Sequence, residues 1–429
     1  MTPAQTKAPQ GPDSAEHIKL NASFFRRDPM GFLETITQNF GDIARFDLGS
    51  GPIVLINDAD LVREVFRSHE ADLRKPDFLR ASNCGYWGDG LTTLEVPTIW
   101  RRRRQTLLPL FRAALRIPRL AVATEIARSM SARWADGGRI NLRHELRLLT
   151  ARIALRTVID ADLEGYSDGL NRSGLVPYLE GYGEDFTSED GPLRMTRPRA
   201  PQQMDSILAI IDTRIRNWTD RGDVLSALAH VHLTMPETLS RQDVIGEIIQ
   251  MLYAGHLTFP FVLSTFWRDV ATHGLERQLA HEAKALGPTR LQCIQTLGNS
   301  RTTAILRETM RLSPPAPILY REVSQTFYLS GYDLHEGLGL WVSPGLMHKD
   351  PRNFPQPAAF LPDRFAAGRL PAASAKAYMP FGAGPRVCIA AAQSISQMTA
   401  IILTMARQVV LQPITDAPEV FEVQRRVQD

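Results

Sequence analysis

Cysteine is scarce in this chain. Only Cys84, Cys293 and Cys388 occur in 429 residues, far apart and in no zinc-finger spacing. That excludes a disulfide framework or a cysteine-rich metal module as the basis of the fold. An excess of one charge is also missing: 49 basic residues stand against 46 acidic ones. The net of +3 is too mild to argue for nucleic acid as a partner. No stretch offers the roughly 18 uncharged apolar residues of a membrane span. The polar N-terminus reads as neither signal peptide nor membrane anchor. Repeats, low-complexity tracts and an obvious interdomain linker are absent as well. What remains is an ordinary globular composition, 44% hydrophobic and 22% charged, best suited to a reducing cytoplasm.

Hydrophobic periodicity divides the chain into a flexible polar leader over residues 1–27 and one large domain over 28–429. A helical pattern runs from Met30 to Phe40. Two short apolar runs, Ile43–Leu48 and Ile53–Ile56, flank Gly49-Ser50-Gly51-Pro52 and read as a hairpin. Asn57-Asp58 then caps a helix through Phe66. Residues 75–98 are irregular and rich in Gly, Asp and aromatics. Helical periodicity dominates from Pro97 to about residue 305, with loops at 161–175, 183–203 and 235–241. Strand signals return at Arg321–Leu329, Leu334 and Gly339–Val342, followed by a long loop to Cys388 and a helix to about Arg407. The pattern predicts a mainly α protein with a minor β-sheet built from both ends of the chain.

The densest chemical signal is PFGAGPRVCIA, Pro380 to Ala390. One cysteine closes a Gly/Pro-rich loop just before an apolar helical run. The N–H groups of the first helical turn and the helix dipole favour negative charge there. Cys388 is therefore expected as a thiolate, and a thiolate on a rigid loop can serve as an axial ligand to haem iron. Gly382 and Gly384 can adopt positive φ and let backbone approach a flat cofactor. Arg386 could pair with an anionic propionate, and Phe381 could shield the sulfur from water.

Three further patterns stand at a distance. Glu308 and Arg311 in ETMR share a helical face at i,i+3; Pro314-Pro315-Ala316-Pro317, Arg321 and Phe360-Leu-Pro-Asp-Arg-Phe365 follow them. Trp100 and Arg104 in WRRRR share a face at i,i+4. A long apolar helical run carries MLYAGHLTFP, Met251 to Pro260, in which the small pair Ala254-Gly255 precedes Thr258.

In this order and spacing the motifs resemble the cytochrome P450 family of haem-thiolate monooxygenases, from Asp28 to about Arg407. The resemblance implies a single-domain cytochrome P450 fold, with heme b between the long oxygen-groove helix and the cysteine loop. Cys388 would ligate the iron. Trp100, Arg104, Arg321 and Arg386 would reach the propionates, with Phe381, Gly382 and Ala390 lying against the cofactor. Glu308, Arg311 and Arg364 would form a structural lock beneath the cysteine loop. Ala254 and Gly255 would leave room for dioxygen, and Thr258 would deliver protons for O–O cleavage.

The chain also departs from the family pattern A-G-x-(D/E)-T. Leu257 replaces the acid, so no carboxylate can relay protons from that position, and His256 beside it is the substitute candidate. Pro260 removes a helical hydrogen bond and predicts a kink. Ala390 stands where the family usually has Gly and adds one methyl near the haem edge. Arg101–Arg103 read as a solvated face, which could also dock an acidic electron donor.

Substrate contacts implied by the resemblance are Phe78, Tyr86, Trp87, Tyr253, Leu257, Phe259, Ile318 and Leu319, an apolar and aromatic set suited to a lipophilic small molecule. The expected reaction inserts one oxygen atom from O2, by hydroxylation or epoxidation, in bacterial natural-product biosynthesis. Only 41 residues follow Cys388, so electrons are expected from a separate ferredoxin and ferredoxin reductase. Leu257 motivates a rival: peroxide-driven oxidation, oxidative coupling, nitration or dehydration. A non-catalytic haem sensor is a third reading, against which Thr258 beside Ala254-Gly255 argues.

Overall fold

The computed structural model describes residues 8–426 except 13, 78, 80–88, 112–117, 162–203, 292, 367–368 and 416. Ser14 and Asp28 each accept a backbone N–H and so start two successive helices, α1 (Ala15–Arg27) and α2 (Pro29–Phe40). The first of these lies within the stretch expected as a flexible leader. Asn21, Ala22 and Phe25 are buried, and Phe25 meets Phe32 edge-on and tilts against Trp341. Aromatic burial of this kind secures a segment that charge and polarity alone would leave loose.

The hairpin forms as β1 (Ile43–Asp47) and β2 (Pro52–Ile56). Asp58 caps α3 (Ala59–Ser68) by accepting from the N–H groups of Asp60 and Leu61. A short β3 (Leu73–Arg74) leads toward α4 (Pro97–Leu107). Next come α5 (Arg119–Trp134), β4 (Gly138–Asn141), α6 (Leu142–Val158), α7 (Met204–Arg216) and α8 (Val224–Thr234). The long α9 (Arg241–Thr272) opens on a capping box between Ser240 and Asp243. After it follow α10 (Glu276–Arg290), α11 (Ile294–Gly298) and α12 (Arg301–Leu312). The C-terminal part holds β5 (Leu319–Val323), β6 (Phe327–Leu329), β7 (Tyr332–Leu334), β8 (Gly339–Val342), α13 (Pro344–Met347), α14 (Ala372–Ala377), α15 (Ala391–Ala406), β9 (Val409–Ile414) and β10 (Ala417–Arg425).

The main sheet runs β1-β2-β8-β5-β3, with β2 and β8 parallel and Ile53 opposite Gly339. It joins both ends of the chain, as the sequence suggests. A second sheet, β4-β10-β9, has no counterpart in the sequence reading. The largest core cluster packs α5, α6, α9, α12 and α15 through residues such as Met130, Leu149, Phe266, Trp267, Leu306 and Ile401. Helix α9 continues through Pro260 as one helix, and its next turns bury Val262, Leu263, Phe266 and Trp267. Core packing on that side outweighs the single hydrogen bond that proline removes. By length and composition α9 is apolar enough to cross a membrane, but 50% of its apolar window is buried inside the protein.

Candidate active site

The cysteine loop is a series of tight turns. The Gly382 N–H donates to Met379 O at 3.0 Å, Val387 N–H to Gly384 O at 3.1 Å, and Cys388 N–H to Phe381 O at 3.0 Å. Gly382 has φ 78° and Gly384 φ 70°. Position 384 has no room for a side chain: a Cβ there would lie 2.6 Å from Phe66 Cβ and 2.8 Å from Phe66 O. The loop therefore seats directly on α3 and delivers Cys388 to the start of α15, which Ala390 caps. Phe381 is half-buried against the main core cluster. Ile389, next to the cysteine, packs on the cluster that holds Ile248, Ile249 and Leu252 of α9. The residue after the cysteine and the first half of α9 therefore border one core cluster.

Cys388 as a residue is exposed, yet desolvation by the surrounding protein pushes its thiol pKa up, against the Ala390 N–H and the Arg104 charge that pull it down. The helix-terminus effect read from the sequence is present but smaller than desolvation. A bound metal ion would reverse that balance, because coordination deprotonates a thiol outright.

The lock beneath the loop is continuous. Arg311 Nε and Nη2 donate to Glu308 at 2.7 and 2.8 Å, with both side chains fully buried. Arg311 also donates to the carbonyls of His348 and Pro357 at 2.7 Å and of Ala359 at 3.0 Å. Glu308 accepts further from Leu361 N–H at 2.8 Å and Arg364 Nε at 3.1 Å. Every polar atom of the Arg311 guanidinium meets an acceptor, which is the condition under which a buried ion pair is tolerated.

On the other side of the loop four cations converge. Trp100 is 3% exposed, and the Arg386 and Arg104 guanidinium carbons lie 4.7 and 5.6 Å from its ring centre. Arg386 donates from Nε to Glu70 at 2.9 Å and from Nη1 to Leu94 O at 2.8 Å, while its Nη2 is buried without a hydrogen-bond partner. Arg321 lies over the Phe66 ring, donates to Tyr320 O at 2.7 Å, and is pushed down to about 10 by burial and by Arg386. Lys75 was not anticipated from the sequence. Its amine donates to Thr92 O, and burial together with Arg321 and Arg386 pushes its pKa down to about 7. Lys75, Arg321 and Arg386 line one small recess with Phe66 and Glu70. The carboxylates acting on this group are Glu70 and Glu95. An orphaned buried guanidinium nitrogen and an excess of cations are what a ligand bearing two carboxylates would complete. With a cysteine thiol presented from the same loop, the residues fit haem.

Helix α9 carries the small-residue pair and the threonine singled out in the sequence. Ala254 and Thr258 are exposed although Leu252 and Pro260 on the same helix are buried. Nothing lies within 4 Å of where a Cβ on Gly255 would stand. The Thr258 hydroxyl donates to Ala254 O at 3.3 Å, a long bond. The side chains of His256 and Leu257, and all of Phe78, Tyr86 and Trp87, lie outside the described residues.

The structure places the remaining assigned residues as follows, and corrects the reading of Arg103. Ile318 is buried in the aromatic cluster around Phe25, Phe32 and Trp341. Leu319 packs against the cluster behind the main sheet, Phe259 against the main core, and Tyr253 against the cluster between α6 and α9. Arg103, read as part of a solvated face, is 4% exposed and paired with Asp243 at 2.6 Å and Glu247 at 3.0 Å. Arg101 and Arg102 remain exposed.

Comparison with known proteins bears on the same residues. The family model described as Cytochrome P450 matches residues 9–171 and 191–423. Cyclooctatin synthase from Streptomyces melanosporofaciens is 29% identical over 426 residues, covering 95% of this chain and 90% of that protein. A sterol 14alpha-demethylase from Mycobacterium tuberculosis is 27% identical, covering 90% of this chain and 87% of its own length. Cyclooctat-9-en-7-ol 5-monooxygenase, also from Streptomyces melanosporofaciens, is 24% identical, with coverage of 96% and 93%.

Proposed function

The chain belongs to the cytochrome P450 family, and we propose that it is an external monooxygenase that inserts one atom of dioxygen into a lipophilic small molecule by hydroxylation or epoxidation. The observation that carries this reading is an exposed Thr258 one turn from Ala254 on α9, in a protein whose Cys388 loop is followed by Ile389 packed on the core cluster that α9 helps form. Heme b held by Cys388, with its propionates on Lys75, Arg104, Arg321 and Arg386, would supply reductive activation of dioxygen under electron push from the thiolate.

The chain's own residues do the rest. Ala254 and Gly255 keep α9 free of bulk over the site, so a small ligand can lie against the helix. The long bond from Thr258 to Ala254 O holds a hydroxyl proton weakly, so the hydroxyl can turn and donate where charge develops. Leu257 supplies no proton to replace it, so resupply must come from water or from groups other than the residue before the threonine.

The named relatives act on sterols and on cyclooctat-9-en-7-ol. They support a ring-built, largely apolar substrate carrying few hydroxyls, in bacterial natural-product metabolism. For the electron donor, an open recess of about 410 Å³ lies against the cysteine loop, lined by Gly382, Ala383 and Val387 and by the cations Arg63, Arg67 and Lys376. A basic surface at that place suits an acidic ferredoxin.

The test is product analysis with isotope-labelled dioxygen. Turnover with ferredoxin, its reductase and NADPH should give a product carrying one labelled oxygen. Leu257 in place of an acid favours a second reading, peroxide-driven or otherwise atypical oxidation. Product formed from peroxide alone, and none with the donor, would replace the first reading by the second.

A further inference from the structure

His348 is not among the residues assigned to the site from the sequence, yet it lies between Arg311 of the lock and Met379 at the start of the cysteine loop. Its side chain is fully buried. Nε2 accepts from the Met379 backbone N–H at 2.9 Å, so Nε2 carries no proton. Nδ1 is then the protonated nitrogen, and it donates to Arg311 O at 3.1 Å. The exchange is mutual, because Arg311 Nη1 donates to His348 O at 2.7 Å. The ring stacks on Tyr378 at 5.4 Å and 29° and meets Phe354 edge-on. Met379 in turn accepts at its carbonyl from Gly382 N–H at 3.0 Å, the first turn of the cysteine loop.

We infer that His348 is a positioning residue for the thiolate: its neutral imidazole ties the Glu308–Arg311 lock to Met379 and thereby sets the angle at which the loop presents Cys388. This inference rests on the family reading of Cys388. Its specific content is a hydrogen-bond acceptor at Nε2. Buried bulk alone would not orient Met379, because an unmet buried N–H there would turn toward another acceptor and carry the Gly382 turn with it. Burial that holds the imidazole neutral works in the same direction.

Two substitutions separate the bonds. In His348→Gln the side-chain oxygen reaches the Nε2 position and can accept from Met379. In His348→Asn the amide reaches only the Nδ1 position and leaves Met379 unmet. The haem-loaded proteins are reduced, treated with carbon monoxide and held in mild denaturant while the red-shifted thiolate band is followed. The Asn variant should lose that band about tenfold faster than wild type, and the Gln variant should stay within about twofold of wild type. Equal loss in both variants, or no loss in either, overturns the proposal. Amide exchange at Met379 in the wild-type protein is a second measurement that no folding failure can spoil. Core-like protection is expected, and exchange as fast as an exposed loop amide overturns the proposal. A wild-type protein without the red-shifted band would instead sink the family reading itself.

Discussion

Arg103 and Glu247 meet at 3.0 Å inside the protein, with side chains 3% and 1% exposed. The pair joins α4, which carries Trp100 and Arg104, to the first turns of α9. Asp243 takes the same guanidinium at 2.6 Å from the partly exposed end of that helix. One turn further along α9, Gln250 accepts from Thr92 N–H at 2.9 Å and donates to Thr93 at 3.0 Å. The segment before α4 is thus fastened to α9 by buried polar contacts.

Glu247 makes stability depend on pH. Burial pushes its pKa up from 4.5 to about 7, against Arg103 and the Leu91 N–H. The folded state therefore keeps a proton that the unfolded chain releases, and stability falls as pH rises from 4.5 to about 7. His348 acts in the opposite sense: burial lowers it from 6.5 to about 3, so stability is lost as pH falls through that window. The two windows overlap between 4.5 and 6.5, where they offset each other, so a flat maximum is expected there. Glu247→Gln removes the falling limb, so the variant should gain stability relative to wild type as pH rises from 4.5 to about 7, by on the order of 3 kcal/mol at most. Melting temperatures of both proteins across a pH series check this; a difference between them that stays constant over that range contradicts it.

The buried lock is the next test. Arg311→Lys replaces five hydrogen bonds, to both Glu308 oxygens and to His348 O, Pro357 O and Ala359 O, with at most three, so at least two are lost. Each buried hydrogen bond lost in this way costs roughly 1–3 kcal/mol, so the total is a large part of a domain's stability. Arg364→Ala should cost clearly less, because Arg364 is at the rim and 10% exposed. Urea unfolding of the two variants should rank them in that order.

Lys75 should hold haem. Lys75→Met removes one charge-assisted partner of a propionate from a recess where the amine is already desolvated. Transfer of haem to an excess of apomyoglobin should be about ten- to a hundredfold faster than from wild type. An unchanged transfer rate would place the propionates on the three arginines alone.

The donor surface separates two basic patches. Arg67→Glu, in the recess beside the cysteine loop, should slow reduction by an acidic ferredoxin and flatten its salt dependence. Arg102→Glu, exposed on α4, should have the smaller effect. Stopped-flow reduction at low and high ionic strength reads both, and the reverse ranking would move the donor to α4.

The parts of the site that were legible in the sequence are those whose chemistry lies in short spacings. Glu308 and Arg311 are three residues apart, Trp100 and Arg104 four, and the loop to Cys388 is continuous. Contacts between distant segments were not legible: Lys75 beside Arg321 and Arg386, Glu70 taking Arg386, and the β4-β10-β9 sheet. Arg103 carried a usable signal that its three identical neighbours hid. Trp100, Arg103 and Leu107 fall on one helical face, and all three are buried. Phe24 and Phe25 likewise marked α1 as a packed helix inside an otherwise polar leader. Ile318 was assigned to the pocket from the family resemblance, and its side chain packs in the aromatic core.

The haem-thiolate assignment of Cys388 is tested most directly by the carbon monoxide spectrum of the reduced, haem-loaded protein. Wild type should show the strongly red-shifted Soret band of a thiolate ligand, and Cys388→Ala and Cys388→His should both lose it while still binding haem through the cationic recess. A red-shifted band that survives in either variant would contradict Cys388 as the ligand.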